Sequence, residues 1–289
     1  MTLPQESRPT VDLHLHSSAS DGAFAPPVVV RRAAAAGLAA VALTDHDTVA
    51  GVPAAIEAGK QLGVRVVSGC EFSVAAPWGE MHVLGYFLPP DSVTLERFLV
   101  GCRADRERRG RAMVERLHRV GVSLGEEDVL AEAQGGAIGR PHVARALVRR
   151  GHVSTVGEAF DRYLARGRPA FVDKTLPAFE AVSALVHHVG GIVSAAHLKE
   201  RGTRTLLQTL RSQGLDAVET RHPSHDPEQR ARLTDLALEL GLHRTGGSDW
   251  HGESFGDEDH GTIGSEHVPA EWLERLEAAR PAPAGPLAT

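Results

Sequence analysis

The chain has 289 residues, 42% of them hydrophobic and only 4% aromatic, which is enough for one large domain with a mainly aliphatic core. The formal net charge of −6 argues against general coating of nucleic acid, and two cysteines exclude a disulfide framework. No apolar run reaches membrane-spanning length and the N-terminus lacks a signal pattern, so we expect a cytoplasmic protein without a membrane partner. The sequence indicates no stable protein partner.

Apolar runs with the length of strands alternate with helical patterns along most of the chain. In the first part, the predicted elements are strand Val11–Leu15, helix Pro26–Ala36, strand Ala39–Thr44, helix Pro53–Leu62, and strands Val64–Gly69 and Met81–Leu88. In the last part, they are helix Phe179–Val189, strand Gly191–Ala196, helix Thr205–Gln213, strand Leu215–Glu219, helix Pro227–Leu240, strand Leu242–Gly246 and helix Glu271–Ala279. This alternation predicts an α/β fold with a mostly parallel sheet.

The middle of the chain has a different pattern, because it is helical and poor in strands. We predict a discontinuous barrel, residues 8–97 and 170–280, with a helical subdomain, residues 98–169, inserted over its mouth. Residues 103–168 hold 14 arginines and no lysine against nine acidic residues, although a helical face rich in salt bridges explains Arg103–Arg119 equally well. The tail, residues 281–289, is rich in Pro, Ala and Gly and is predicted to be disordered.

Histidines and carboxylates gather where the predicted strands end. His14 and His16 alternate along the first strand and therefore point to one face, and Asp21 follows in the next loop. The alternative for the histidine pair is two half-buried, hydrogen-bonded rings. Asp249 and His251 repeat the alternation near the far end of the chain, after two glycines that let the backbone approach closely.

Four further candidate ligands have no second candidate two positions away in the sequence. His46 follows the second strand between Asp45 and Asp47, which could orient its ring. Glu71 ends the third predicted strand, where a carboxylate could bridge two cations or simply be solvated. His82 and His197 would each, alone, be structural histidines. Histidines without a partnered pattern are assigned to surface, helix or loop positions: His118, His152, His187, His188, His243, His260 and His267.

Imidazole and carboxylate without matching thiolates form the ligand set of a hydrolytic metal centre, and a metal ion makes water nucleophilic at neutral pH. The motifs DLHLH…SDG, TDHD, GCEFS, HVLGY, AAH and GGSDWHG, in this order, closely resemble the polymerase-and-histidinol-phosphatase (PHP) family of metal-dependent phosphoesterases. The resemblance spans about Val11 to His251. It implies a distorted (β/α)7 barrel with metals at the carboxyl-terminal ends of the strands.

The resemblance also implies three divalent metal ions, with manganese expected and iron or zinc suited to the same ligands. The implied ligand sets are His14, His16, Asp249 and Glu71 for one ion, Glu71, His82 and His197 for a second, and Asp21, His46 and His251 for a third. A hydroxide shared by two cations would then attack phosphorus in line.

Two other segments resemble a branch of the family that includes nucleoside 3′,5′-bisphosphate phosphatases and enzymes that trim RNA from the 5′ end. The segments are Gly139–His142 and Arg221–His225. The implied reaction is hydrolysis of nucleotide phosphate monoesters, with short RNA 5′ ends as further substrates. The candidates for contact with the phosphate or the leaving group are Arg140, Lys174, His222 and His225.

For these candidates purely structural roles stay open, since Arg140 could only brace the insertion and Lys174 could be solvated. Alternative functions are hydrolysis of histidinol phosphate and, from another class, a non-catalytic module that binds RNA ends or a polymerase. Attack on an amide carbonyl is also possible in principle, although three metals suit phosphate oxygens better.

Overall fold

The computed structural model describes residues 9–252 and 260–284. In the described residues, the strands are β1 (Thr10–Leu15), β2 (Ala40–Leu43), β3 (Arg65–Ala76), β4 (Gly79–Tyr86), β5 (Ile192–Ala195), β6 (Ala217–Arg221), β7 (His243–Gly246) and β8 (Val268–Pro269). The α-helices are α1 (Pro26–Ala35), α2 (Val52–Leu62), α3 (Val93–Arg119), α4 (Glu126–Ala133), α5 (Arg140–Arg149), α6 (Val156–Ala159), α7 (Phe179–His188), α8 (Arg204–Ser212), α9 (Pro227–Leu240) and α10 (Ala270–Ala278).

The strands form one barrel-like sheet in the order β7-β6-β5-β4-β3-β2-β1-β8. Strands β1, β2 and β3 are parallel neighbours, and so are β5, β6 and β7. Helices connect the parallel strands, because a parallel pair needs a long crossover. The predicted α/β barrel is confirmed, and the carboxyl-terminal ends of the parallel strands meet at one edge.

Strand β4 breaks the parallel pattern, because it runs antiparallel to both β3 and β5. Only Pro77 and Trp78 separate β3 from β4, which is too short for a crossover and forces a hairpin. The same hairpin extends β3 to Ala76, well beyond the predicted end near Gly69. Glu71 therefore lies in the middle of a strand, and the prediction that it ends one is wrong.

The barrel closes where β1 meets the segment that follows β7. The amide of Asp249 donates to the carbonyl of His14 over 2.9 Å, and the amide of His16 donates to the carbonyl of Trp250 over 3.0 Å. The buried carboxylate of Asp12 accepts from the amides of Ser248 and Gly264 over 3.0 and 2.9 Å. These bonds join β1 to the segment that follows β7, at the edge of the barrel that carries the histidines.

Helix α3 connects two hydrophobic clusters. Leu95 and Leu99, near its beginning, are buried in the cluster between the sheet and its surrounding helices. Met113 and Leu117, near its end, belong to a second cluster with α4, α5 and α6. Residues 87–191, all of which the structure describes, contain no strand, as the sequence predicts for the middle segment. The predicted subdomain boundary at residue 98 falls inside this helix.

The remaining predictions concern membrane-spanning segments and the C-terminal tail, residues 281–289. No helix among the described residues is long and apolar enough to cross a membrane. Of the tail, residues 285–289 lie outside the described residues, whereas the amide of Ala284 donates to the carbonyl of His188 over 3.0 Å.

We expect Gly247→Ala to destabilise the protein, because an added Cβ at Gly247 would lie 2.4 Å from the backbone nitrogen of His14. Overpacking of this kind costs about 1–3 kcal/mol. The control is Gly101→Ala, at a position inside α3 with no heavy atom within 4 Å, where alanine should stabilise the helix by about 0.5–1 kcal/mol. Thermal denaturation midpoints measure both effects, and a Gly247→Ala variant as stable as the parent would contradict the close approach.

Candidate metal centre

The nine predicted metal ligands lie together at one edge of the barrel. They come from β1 and its following loop (His14, His16, Asp21), the residues after β2 (His46), β3 (Glu71), β4 (His82), the residues after β5 (His197) and the residues after β7 (Asp249, His251). Most of these side chains are buried, although His82 and His197 keep roughly a quarter of their surface exposed. Distant segments of the sequence therefore build one polar cluster.

Glu71 is the centre of this cluster, and its two carboxylate oxygens face different histidines. The exposed fraction of the Glu71 side chain is 1%. Its Oε2 atom lies 3.1–3.3 Å from ring nitrogens of His14, His16 and His46. Its Oε1 atom lies 2.9 and 3.1 Å from ring nitrogens of His82 and His197. A carboxylate in this position can contribute one oxygen to each of two cations.

The first group of possible ligands consists of His14, His16, Glu71 and Asp249. The Oδ1 atom of Asp249 lies 3.2 Å from the Nε2 atom of His14 and 3.1 Å from that of His16. Ligands that surround one cation at about 2.1 Å are separated by roughly 3.4 Å in a tetrahedral arrangement. The atoms that face each other are buried and, within the described residues, lack a partner in hydrogen-bond geometry. Both observations fit a shared metal ion.

The second group contains Asp21, His46 and His251, together with His16. The Nε2 atom of His251 lies 3.3 Å from Asp21 Oδ1, and the Nε2 atom of His46 lies 3.8 Å from Asp21 Oδ2. The rings of His16 and His251 are stacked with 4.0 Å between their centroids. These contacts place a second set of possible ligands directly beside the first.

The third group lies around the other oxygen of Glu71 and includes His82 and His197. The Nε2 atom of His82, which faces away from Glu71, lies 3.0 Å from a carboxylate oxygen of Glu80. The same oxygen of Glu80 is bonded to the ammonium of Lys174, which also donates to the hydroxyl of Ser73 over 2.8 Å. Lys174 therefore lies behind the histidines and is paired with a carboxylate.

The electrostatics of the cluster favour bound cations. Burial opposes ionisation of Glu71, Asp21 and Asp249, but the surrounding histidines outweigh it and hold the pKa of each carboxyl well below its usual range. Burial likewise opposes protonation of His16, but Asp249 and Glu71 outweigh it and raise its pKa to about 10. The ionised carboxylates therefore favour protons on His14, His16 and His82, or a metal ion in their place, whereas burial lowers the pKa of His46 and His197.

Two of the possible ligands have unusual backbone conformations. The φ angles of His197 and Asp249 are 29° and 51°, in the left-handed region that residues with a side chain rarely adopt. Conformations of this kind persist where the surrounding structure fixes them, and they concentrate at functional sites.

Sequence reasoning missed Glu219, a fully buried residue of β6. One of its carboxylate oxygens lies 3.1 Å from the Nδ1 atom of His14, and the other accepts the backbone N–H of His197 over 2.8 Å. Glu219 therefore fixes the ring of His14 and the backbone of His197, both of which are possible ligands. A carboxylate at the end of an apolar strand, the pattern that singled out Glu71, could have identified it.

His260 was also missed, because no motif surrounds it in the sequence. Its Nε2 atom lies 3.5 Å from Asp249 Oδ2, its ring centroid lies 4.5 Å from that of His251, and it lines the same cavity as the ligands. Its place in the site depends on the folded chain alone.

Asp45 and Asp47, which we expected to orient His46, make other contacts. Asp45 accepts from the hydroxyls of Ser17 and Ser20, each over 2.7 Å, and so fixes the loop that follows β1. Asp47 accepts from the guanidinium of Arg106 over 2.6 Å, which ties α3 to the edge of the barrel.

A cavity of about 390 Å³ opens above the ligands. Arg140, Pro141, Val156 and Phe160, all from the middle segment of the chain, line the side that faces them. His222 also borders this cavity, with its Nε2 atom 3.3 Å from Asp249 Oδ2. His225 lies behind His222, and its Nε2 atom accepts the backbone N–H of Lys199 over 3.3 Å.

Comparison with known proteins gives consistent matches. The chain is 33% identical over 247 residues to the 5′-3′ exoribonuclease Rnm of Salmonella typhimurium, covering 83% of this chain and 84% of the relative. It is 32% identical over 259 residues to a 3′,5′-nucleoside bisphosphate phosphatase of Chromobacterium violaceum, covering 87% and 90%.

A crystal structure from Bifidobacterium adolescentis, assigned as a metal-dependent phosphoesterase, is similar with a TM-score of 0.86 and 31% identity, covering 96% of this chain and 98% of the other. The PHP domain family matches residues 12–219, which is well over half of the chain. A match of this extent, supported by these relatives, shows that the chain belongs to the PHP domain family and is a metal-dependent phosphoesterase.

Proposed function

We propose that this protein hydrolyses phosphate monoesters of nucleotides at a centre of three divalent metal ions. The proposed substrates are the 3′-phosphate of nucleoside 3′,5′-bisphosphates and the 5′ ends of short phosphorylated RNA. Similarity to a 3′,5′-nucleoside bisphosphate phosphatase and to a 5′-3′ exoribonuclease supports this choice. Manganese is the proposed metal, and a cytoplasmic location is proposed with it.

The observation that carries this proposal is the position of Glu71 between two sets of histidines. Its Oε2 atom faces His14 and His16, and its Oε1 atom faces His82. Two cations that share one carboxylate lie close enough to act on the same phosphate. The assigned ligand sets are His14, His16, Glu71 and Asp249; Glu71, His82 and His197; and Asp21, His46 and His251.

The chain's own residues supply the setting for the reaction. Bound divalent cations would lower the pKa of water and neutralise charge on phosphate oxygens. The buried carboxylates of Asp21, Glu71 and Asp249 would hold such ions, and Glu219 fixes the ring of His14 through its Nδ1 atom. Phe160 and Pro141 add apolar surface to the lining of the cavity, which would limit the water around a bound substrate.

Arg140 is the proposed phosphate clamp. It is partly buried at the first turn of α5 and borders the cavity above the ligands. Within the described residues it forms no ion pair, so its charge is available to an anionic group of the substrate. A guanidinium can bind two phosphate oxygens at once, which suits the second phosphate of a bisphosphate.

His222 is favoured over His225 as the group that protonates the leaving oxygen. His222 borders the cavity, and its Nδ1 atom lies 2.8 Å from the hydroxyl of Ser224. Burial lowers the pKa of His225 to about 4, which leaves its ring neutral near pH 7. Lys174 is proposed to act through Glu80, whose carboxylate positions His82.

Removal of a ligand should abolish turnover. We expect His14→Ala and Asp249→Ala each to lower the rate of phosphate release by at least about a hundredfold, because both side chains are proposed ligands of the same metal ion. His188→Ala, at the opposite end of the barrel before β5, is the control and should keep the parent's rate. Phosphate release from adenosine 3′,5′-bisphosphate with added manganese measures this, and unchanged turnover in both ligand variants would reject the metal mechanism.

Arg140→Ala should weaken binding of bisphosphates more than it slows an aryl monophosphate. The expected rise in KM for adenosine 3′,5′-bisphosphate is about tenfold or more, since a charge-assisted bidentate contact is lost. An aryl phosphate has no second phosphate and should be affected less. Steady-state kinetics on the two substrates give the comparison, and an equal loss on both would exclude the clamp.

Glu219→Gln should reduce metal affinity, because the amide keeps the shape of the side chain but removes the charge that orients His14. Loss of such a partner typically lowers metal affinity by about 10- to 100-fold. Competition with a chromophoric chelator measures the affinity for manganese. Glu239→Gln, which alters an exposed carboxylate paired with Arg204, is the matched control, and equal affinities in the two variants would contradict this role.

The competing functions predict different results in the same assays. Faster release from histidinol phosphate than from nucleotides would favour histidinol-phosphate hydrolysis. Salt-dependent RNA binding without release of phosphate or nucleotide would favour a non-catalytic binding module.

A further inference from the structure

A second cavity of about 300 Å³ lies beside the one that contains the metal ligands. His82, His197 and Arg140 line both cavities and therefore form their common border. The far side of the second cavity is lined by Trp78, Phe171, Arg166 and Arg201. Its volume lies within the range of small-molecule sites, which begins at about 300 Å³.

The arginines of this second cavity rest on aromatic rings. The guanidinium carbon of Arg201 lies 5.4 Å from the ring centroid of Trp78, and that of Arg166 lies 5.4 Å from the ring centroid of Phe171. Arg140 lies 5.9 Å from the same Phe171 ring. An arginine stacked on a ring keeps its charge and the N–H groups in its plane, so it can still bind an anion.

Carboxylates do not neutralise these arginines strongly. Asp173 lies 3.7 Å from Arg166 and Glu200 lies 3.9 Å from Arg201, and such exposed, distant pairs contribute little. The one carboxylate in the lining, Glu80, is bonded to Lys174 and His82. The cavity therefore carries an excess of positive charge.

The arginines of helix α3 make different contacts from the arginines that line the second cavity. Several of them pair with carboxylates, as in Arg106 with Asp47, Arg108 with Asp105 and Arg111 with Glu126. Arg109 and Arg116 instead donate to backbone carbonyls of Val172 and Phe171. The interpretation of Arg103–Arg119 as a salt-bridged helical face fits these contacts. Arg140 and Arg166, by contrast, line the second cavity, and the nearest carboxylate oxygen to Arg166 lies 3.7 Å away.

We propose that the second cavity binds the phosphodiester that follows the reacting nucleotide, so that Arg166 and Arg201 adapt the site to oligonucleotides. This inference rests on the proposed function. Arg140 lines both cavities, whereas Arg166 and Arg201 line only the second, so positive charge continues from the metal ligands into the second cavity, as binding of a further phosphate requires. Guanidinium planes also offer stacking surfaces for a base of single-stranded RNA.

The test compares two substrates in the double variant Arg166→Ala/Arg201→Ala. The substrates are a 5′-phosphorylated ribotrinucleotide and adenosine 3′,5′-bisphosphate, each with the manganese-loaded protein. We expect the ratio of kcat/KM on the trinucleotide to kcat/KM on the bisphosphate to fall by at least about tenfold, as loss of charged hydrogen bonds implies. The salt dependence of kcat/KM on the trinucleotide should flatten by about 0.7 in logarithmic slope for each lost phosphate contact.

The double variant Arg108→Ala/Arg111→Ala is matched in charge and should keep the parent's ratio, because these side chains lie on α3 away from both cavities. The side chains of Arg166 and Arg201 are 67% and 50% exposed, so folding of the test variant is expected, and its thermal midpoint verifies this. An unchanged ratio in the folded test variant would overturn the inference.

Direct binding separates failure of this inference from failure of the proposed function. If the parent protein hydrolyses neither substrate, the proposed function is wrong, and anisotropy with a fluorescent phosphorothioate trinucleotide decides the inference instead. Binding at least about tenfold weaker in the test variant than in the control would support it. Equal binding in the two variants, or hydrolysis of the bisphosphate by a parent that binds no trinucleotide, would overturn it.

Discussion

Burial of Glu71 among histidines is the interaction on which the rest of the site depends. A carboxylate that is 1% exposed stays ionised only if positive charge lies next to it. A protonated imidazole ring supplies that charge itself, and a neutral imidazole ring can instead coordinate a metal ion that supplies it. Lysine and arginine carry the charge but do not release it to a metal ion near neutral pH. The chain surrounds Glu71 with rings and places its arginines further out, at the walls of the cavities. Under the proposed function, this division reserves the centre for cations and the cavity walls for anionic groups of the substrate.

The barrel makes this arrangement possible because its parallel strands end at one edge. The hairpin of β3 and β4 adds Glu71 and His82 from mid-strand. Glu71 lies opposite Leu84 and His82 lies opposite Ser73, so the two side chains are diagonal neighbours on one face of the sheet. The close approach of Gly247 to His14 brings Asp249 to the other side of the same rings. Glu219 then fixes His14 and His197 from behind. The geometry of the sheet thus sets the positions of the ligands before any ion binds.

Much of this site follows from sequence patterns, and the parts that do not have physical reasons. Alternation along a strand places His14 and His16 on one face, and strand ends locate His46, His197 and Asp249. The prediction from strand ends placed the end of β3 too early. In the sequence, the carboxylate of Glu71 looks like a residue exposed at the end of a strand, and only the folded chain shows the histidines that allow its burial. His260 has no pattern around it, and its contact with Asp249 arises only from the fold. The pairing of Lys174 with Glu80 likewise joins segments far apart in the chain.

Helix α3 has a mechanical consequence for access to the site. Its 27 residues form a rod of about 40 Å that runs without interruption from one hydrophobic cluster into the other. The helices α4, α5 and α6 pack on the end of this rod. They cannot move away from the barrel as a separate unit unless apolar contacts at one end of α3 are broken. The part of the cavity wall that Val156 and Phe160 contribute is therefore fixed through both hydrophobic clusters, so the cavity next to the possible metal ligands has a set shape before any substrate enters.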